Sequence, residues 1–488
     1  MASKNTYRFC LSITTAIGLT GIIDCLPAQP STALTDSSIR MSVATSTATP
    51  ATTPTATQDL LIAPGKPRGY LTSPKELAAI SLKAHQGLEP YQAAVADVLE
   101  WADRDWNYEL DPVESCEDAD KPAWNDNREG TPILYAKALA YHLTGDSHYA
   151  ADVRHILQRI MTEVKTITIE ERRCQLTFGW GTPELVASAD LIEGYWLTQT
   201  CTGPTSTLYT DTTIGVGNCK VLFQNWLVKN PYYVVSYSAA HSKSNWGAAA
   251  TTATAYVADY LADRPEVLLV HRNPAQVNDG ESTTRSPADA YAHANQLMLD
   301  RMNGYGVEYG SSSSCDYLDG AQQSGEWPPV KSHISESGII PEDARRDEYC
   351  NIPRYDGRYQ NYPQIHLGNN IQECELMRRR GDRSCFDNID NRDLPHYVFV
   401  DPRGVTRITH LYPGRGSIER AIKAIIVDSS TEWRHDSALE VAYRYYSDYR
   451  TLPGFDDWAE HLDRPSGCAQ DICFGTLTHG SASGERPE

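Results

Sequence analysis

The amino-acid sequence predicts a mainly helical fold, a helical toroid or bundle built from pairs of helices. Apolar residues recur at helical spacing through much of the chain. Helical segments follow one another without an intervening strand, which argues against a βαβ fold. Long polar segments separate the helices, above all residues 306–364. Loops of that length in a compact domain are more often functional than idle.

The predicted helices begin and end at residues that commonly cap helices. The helix over 131–143 ends at Thr144-Gly145-Asp146, and a second helix follows over 147–164. Ser286 is the expected N-cap of a helix whose first residue is Pro287. The remaining predicted helices span 183–197, 248–261, 287–302, 368–380, 418–427 and 437–449, with a short strand at Tyr397–Val400.

The chain divides into an export signal, a linker, a folded domain and a tail. Residues 1–28 resemble a signal peptide, because Lys4 and Arg8 precede a mostly apolar run. Residues 29–58 are rich in Ser, Thr, Ala and Pro and cannot bury enough apolar surface to fold. The folded domain is predicted to span 59–463, and the Gly- and Ser-rich residues 464–488 to form a loose tail.

Cysteine usage and charge narrow the class of protein. The chain has 12 cysteines, an even number that suits disulfides in a secreted or periplasmic protein. Cys201–Cys219 and Cys468–Cys473 are the expected pairs, since each closes a short polar loop. The net charge of −20 argues against a nucleic-acid partner. Beyond the signal, no apolar run reaches the roughly 18–20 residues of a membrane span.

Four segments carry candidate chemistry. They are 131–146 with its closing Thr-Gly-Asp, Gly179-Trp180 with the helix after it, His-Ser-Lys-Ser-Asn-Trp-Gly at 241–247, and 358–382. The last contains Arg358, Tyr362, a Gly-containing helix and Gly381-Asp382. In this order, over roughly residues 85–450, they resemble the alginate-lyase-like family of polysaccharide lyases. The resemblance implies an incomplete (α/α) toroid of helical hairpins and cleavage of a uronate-containing polysaccharide by β-elimination, without a metal or organic cofactor.

The resemblance also assigns catalytic roles. Asn245 matches the family's Asn-Trp element and is expected to neutralise the substrate carboxylate. Arg358 is expected beside that carboxylate or beside Tyr362. Tyr362 is expected to protonate the leaving oxygen and is also a candidate for taking the C5 proton. His241 is the alternative base, although relatives place a histidine nearer the tryptophan, where this chain has Lys243. The expected substrate-binding residues are Trp180, Lys243, Trp246, Tyr305, Tyr309, His333 and His366.

Two other functions fit the sequence. A glycoside hydrolase on a helical toroid needs two carboxyl groups beside the scissile bond, and Glu184, Asp190, Asp316 and Asp319 are candidates. A secreted glycan-binding protein without catalytic activity is the second alternative. The chain has no P-loop, GxSxG or HExxH motif and no cysteine or histidine cluster with zinc spacing. The sequence makes no prediction of the oligomeric state or of the polymer.

Overall fold

A computed structural model describes the chain in stretches between Gly69 and Ser481. The described residues are 69–106, 127–164, 172–242, 244–272, 282–303, 361–387, 397–400, 406–409, 417–423, 435–449, 462–468 and 471–481. All of them belong to one unit, Leu60–Glu488. The predicted export signal and linker lie outside the described residues.

The described chain is mainly helical, as the sequence predicts. Helices span Pro74–His85 (α1), Tyr91–Ala102 (α2), Asn127–Thr144 (α3), Ser147–Glu163 (α4), Arg172–Leu191 (α5), Glu193–Trp196 (α6), Cys219–Leu227 (α7), Tyr233–His241 (α8), Asn245–Tyr260 (α9), Pro287–Asn303 (α10), Asn361–Arg379 (α11), Ser384–Asp387 (α12), Ile418–Lys423 (α13), Asp436–Tyr449 (α14) and Gly475–His479 (α15). A π-helix, Val228–Tyr232, joins α7 to α8. None of the described helices is long and apolar enough to cross a membrane.

Short antiparallel hairpins interrupt the helices. Strand β1 (Thr200–Pro204) pairs with β2 (Ile214–Asn218), β3 (Leu269–Arg272) with β4 (Ser282–Arg285), and β5 (Tyr397–Val400) with β6 (Thr406–Thr409). The sequence predicts only β5 among these strands. The others are short, and two-stranded hairpins of this kind depend on the helices against which they pack.

Helices α3, α5, α9 and α11 begin earlier than predicted, and the difference is largest for α5 and α11. Helix α5 starts at Arg172 and passes through Pro183, which cannot donate to the carbonyl of residue 179 and therefore suggests a helix start. Packing outweighs that lost bond, because Gly179 lies against α9: a Cβ on Gly179 would stand 3.0 Å from that of Ala249. Helix α11 starts at Asn361 instead of Gly368. The predicted start of α10 is confirmed, since Ser286 Oγ accepts from Asp289 N at 3.2 Å.

Helix α9 is the centre of the core. Every residue of α9 except Trp246 is buried, and α5, α8, α10 and α11 all pack against it. Its run of Ala, Thr and Gly explains this, because small side chains let neighbouring backbones approach closely. The sequence-based prediction of a tightly packed small-residue helix is confirmed.

Four of the long helices run parallel. His142 near the end of α3 bonds the carbonyl of Leu191 at the end of α5 (2.7 Å), and Gly179 of α5 is level with Ala249 of α9. Near the far end of α9, Arg380, just after α11, binds Asp259. The N-termini of α3, α5, α9 and α11 therefore lie at the same end of the array. Helix α10 runs the opposite way, because its last turn meets the first turns of α9.

The prediction of a loose tail after residue 463 is wrong for most of the described part. Ile472, Cys473, Phe474 and Leu477 are buried, and Phe474 packs on aromatic rings of α2 and α3. Helix α15 also contacts α14. The Gly and Ser content of this segment suggests flexibility, but its apolar residues supply enough burial to fix it.

Disulfides hold several of these connections. Cys201–Cys219 and Cys468–Cys473 form as predicted, and Cys374–Cys385 joins α11 to α12. Cys174 is also disulfide-bonded, to a residue outside the described ranges. The Cys374–Cys385 pair was not predicted, because spacing alone does not determine connectivity.

Candidate active site

The candidate site lies where helix ends converge. We call this the site end: the N-termini of α5, α9 and α11 together with the C-termini of α8 and α10. Parallel helix N-termini present unsatisfied N–H groups and partial positive charge, which favour anions. Helix ends alone do not define a site, and the decisive observation concerns a side chain on the first turn of α9.

Asn245 is the first residue of α9, and its amide group is buried without a partner. Its exposed fraction is 0%, and neither Nδ2 nor Oδ1 has a hydrogen-bond partner within the described part of the chain. The usual reason for an Asn at a helix start is capping, but Ser244 is the N-cap here and accepts from Trp246 N at 3.4 Å. A buried unpaired amide costs roughly 1–3 kcal/mol. No hydrogen bond to a described residue compensates for this burial.

The register between α9 and α11 determines what Asn245 faces. Thr252 Oγ1 lies 3.0 Å from the carbonyl oxygen of Asn369 and 3.2 Å from Oε2 of Glu373. Asn245 precedes Thr252 by about two helical turns and therefore lies on the same face of α9. On the parallel helix α11, moving back about two turns from Asn369 and Glu373 leads to Tyr362 and His366. Asn245 thus lies level with the first turns of α11, which carry Tyr362 and His366.

Tyr362 and His366 differ in their access to solvent. The exposed fraction of Tyr362 is 38%, whereas that of His366 is 5%. They are about one turn apart on α11 and so share a face. Tyr362 is therefore the more accessible of the two, and Asn245 lies on the helix α9 that packs against theirs.

Of the other predicted catalytic residues, only His241 belongs to a described helix. His241 is the last residue of α8, directly before the turn into α9, and its side chain lies outside the described residues. Lys243, Arg358, Tyr305, Tyr309 and His333 also lie outside them. Helix α10 ends at Asn303 and α11 begins at Asn361, both at the site end.

Two tryptophans predicted to bind substrate are partly exposed near this end. Trp246 is the second residue of α9 and its only residue that is not buried. Trp180 follows Gly179, the residue of α5 that contacts α9, and is also only partly buried. Tryptophan faces of this kind can stack on sugar rings while the rest of the ring packs on the core.

Glu373 lies below the site with little negative charge at neutral pH. Burial raises the pKa of its carboxyl group to about 8, against the opposing effects of the Thr252 hydroxyl and of Arg301. A neutral carboxyl does not repel an anion bound above it. Glu373 therefore adds little negative charge to the seam between α9 and α11, although the whole chain is strongly acidic.

The sequence did not predict a role for Arg301 or Glu373 at the site. Arg301 is a basic residue in the last turn of α10, which is the usual place for a cation that interacts with a helix C-terminus, so it carried no functional signal. Glu373 lies within a helical pattern and becomes notable only through burial. Both were hidden because their partners, Gly247 and Thr252, are remote in sequence.

Glu184 and Asp190, two of the carboxyl groups considered for a hydrolase, both lie on α5 but are not brought together there. Burial raises the pKa of Glu184 to about 8, with Asp471 adding to the shift, and Glu184 Oε1 lies 2.9 Å from Cys473 Sγ. Because a disulfide sulfur carries no proton, this contact also requires a protonated carboxyl group. Asp190 lies toward the opposite end of α5, where its negative charge raises the pKa values of Tyr260 and Arg380. Asp316 and Asp319 lie outside the described residues.

Within the described ranges, no group of three or more His, Cys, Asp or Glu residues is arranged to hold a metal ion.

Comparison of the chain with known protein families, with curated proteins and with solved structures finds no significant match. The assignment of function therefore depends on the geometry at the site end.

Proposed function

We propose that the chain is a secreted polysaccharide lyase that cleaves a uronate-containing glycan by β-elimination. The observation that carries the proposal is the buried amide of Asn245, which has no hydrogen-bond partner among the described residues. The register of α9 and α11 puts this residue level with the turns of α11 that carry Tyr362 and His366. An amide without a protein partner is able to donate a hydrogen bond to the carboxylate of a bound substrate. The converging helix N-termini favour the same charge.

An incomplete (α/α) toroid is part of this proposal. Contacts run from α3 to α5, α5 to α9, α9 to α11, α11 to α14, α14 to α15, α15 to α2 and α2 back to α3. Helices α4 and α10 follow their parallel neighbours as antiparallel partners, which gives an inner and an outer series. A ring of parallel inner helices would explain why the candidate residues share one end.

The chemistry of β-elimination fits the residues at the site end. Hydrogen bonds from Asn245, with the charge of Arg358, would stabilise the substrate's C6 carboxylate and the negative charge that develops when the C5 proton leaves. Tyr362 or His241 would accept that proton. The C4–O4 bond then breaks as the C4–C5 double bond forms. Tyr362 would deliver a proton to the departing O4, and the new non-reducing end would be an unsaturated uronate.

Export is supported by the disulfides. Cys201–Cys219, Cys374–Cys385 and Cys468–Cys473 are expected in an oxidising compartment and would be reduced in the cytosol. This agrees with the signal-like residues 1–28 and with a polymeric substrate outside the cell.

Two experiments distinguish the proposal from its alternatives. Purified protein is mixed with alginate blocks, glucuronan, pectate and hyaluronan, and ultraviolet absorbance of the unsaturated product is recorded together with new reducing ends. Absorbance that rises with reducing ends on at least one polymer supports elimination. Reducing ends without absorbance indicate hydrolysis, and binding to a polymer without either product indicates a glycan-binding protein.

A further inference from the structure

Arg301 joins the helix ends that flank Asn245. Its guanidinium donates from Nη1 to the carbonyl oxygen of Gly247 at 2.9 Å and to Thr251 Oγ1, both in the first turns of α9. From Nη2 it donates to the carbonyl oxygen of Ala239, in the last turn of α8. One side chain of α10 therefore holds the end of α8 and the start of α9 together.

The backbone between these helices passes close to the same side chain. A Cβ on Gly247 would lie 1.9 Å from the carbonyl oxygen of Ser242 and 3.3 Å from Cζ of Arg301. Only glycine permits this approach, which brings the chain after His241 back over the first turn of α9. Thr251 reinforces the contact by donating to the Gly247 carbonyl oxygen at 2.6 Å.

We propose that Arg301 is a positioning residue that fixes the turn between His241 and Asn245 in its reactive geometry. The inference rests on the proposed function, because the turn matters only if Asn245 binds substrate. Arg301 acts through the backbone of Gly247 and Ala239 and need not touch substrate. A planar guanidinium suits this task, since its fork of N–H groups can bind carbonyls of both helix ends at once, which a lysine ammonium cannot do in the same geometry.

The chain offers a matched control at the other end of α9. Arg380 donates to both carboxylate oxygens of Asp259 at 2.7 Å and to the carbonyl oxygen of Gly69 at 2.8 Å. It joins α11 and residue 69 to the last turn of α9, far from the site end. Arg301→Lys and Arg380→Lys therefore weaken comparable cross-links to the same helix, one beside Asn245 and one remote from it.

The test compares kinetics and amide hydrogen exchange in the two variants. Arg301→Lys should lower kcat on the cleaved polyuronate by about tenfold or more with little change in KM, because small displacements of reacting groups are costly. It should also speed exchange of the amides of residues 244–248. Arg380→Lys should leave kcat and the exchange of those amides unchanged while speeding exchange near Asp259.

Hydrogen exchange keeps this inference separate from the proposed function. Faster exchange at 244–248 in Arg301→Lys alone supports the conclusion that Arg301 holds the turn, whether or not a polymer is cleaved. If no polymer is cleaved, the proposed function is overturned and Arg301 keeps a structural role only. Unchanged exchange there, or equal losses of kcat in the two lysine variants, would overturn the positioning role. If Arg301→Lys fails to fold, Thr251→Val removes one of its acceptors and should change exchange and kcat in the same direction by a smaller factor.

Discussion

Replacing Asn245 by leucine should raise the stability of the fold and remove most of its activity. Leucine has the same number and branching of side-chain heavy atoms as asparagine but no polar atom to leave unpaired. Both amide atoms of Asn245 lack partners among the described residues, and the side chain is fully buried. An unpaired buried polar group costs about 1–3 kcal/mol. The slightly larger methyl groups offset part of that gain by crowding, so we expect a net increase of about 1 kcal/mol in the free energy of unfolding.

Activity should change in the opposite direction. Loss of a single preorganised donor to a developing anion typically lowers the rate by about 10²–10³. The two effects are measured separately, as the midpoint of urea unfolding followed by tryptophan fluorescence and as the rate of formation of unsaturated product. A stability gain with an activity loss is the pattern of a residue retained for function at a cost in stability.

Asn225→Leu is the matched control. Asn225 is equally buried, but its Nδ2 donates to the carbonyl oxygen of Pro204 at 3.0 Å and its Oδ1 accepts from Arg264 at 2.8 Å. Its replacement should cost about 1–3 kcal/mol and leave turnover intact. If Asn245→Leu instead loses stability as Asn225→Leu does, Asn245 is a structural residue and the reasoning is refuted.

Three further predictions concern the acid–base groups. Tyr362→Phe should lower kcat by about 10² or more, with far-ultraviolet circular dichroism unchanged and polymer binding retained; wild-type turnover would exclude Tyr362 as the acid. Arg358→Ala should lower kcat/KM by about 10², and a normal kcat/KM would remove Arg358 from the site. Glu184 keeps its proton to about pH 8 in the folded state, against a usual pKa of 4.5. Because the folded state then binds more protons, stability should fall as pH rises between these values, by on the order of 4 kcal/mol. In Glu184→Gln this contribution should be absent, as urea unfolding at pH 5 and pH 9 would reveal; an identical pH dependence in both proteins would show that Glu184 ionises normally.

Helix periodicity predicted much of the fold because the helices are amphipathic or rich in small residues. The segments that became α4, α9, α10 and α14 are recognisable in the sequence for that reason. The earlier start of α5 was missed, since Pro183 resembles a first helical residue while contacts of Gly179 with α9 decide the outcome. The buried C-terminal segment was missed because local composition gave no indication of its partners on α2, α3 and α14.

The site could be predicted only in part. The motif around Asn245 identified a candidate, but its burial and the capping role of Ser244 are consequences of tertiary packing. The placement of Asn245 level with Tyr362 follows from the register of α9 and α11, two helices that are far apart in sequence. Arg301 gave no signal at all, because its partners are backbone carbonyls of Ala239 and Gly247, which any sequence would provide.

The measurement that tests the central claim most directly is a time course of ultraviolet absorbance and reducing ends for the wild-type protein on the panel of polyuronates. The account predicts that both signals rise together, one unsaturated end for each new reducing end, on at least one polymer. It also predicts that Asn245→Leu, correctly folded, forms both products about 10²–10³ times more slowly. Reducing ends without the unsaturated product, or bound polymer that is never cleaved, would contradict β-elimination as the function of this chain.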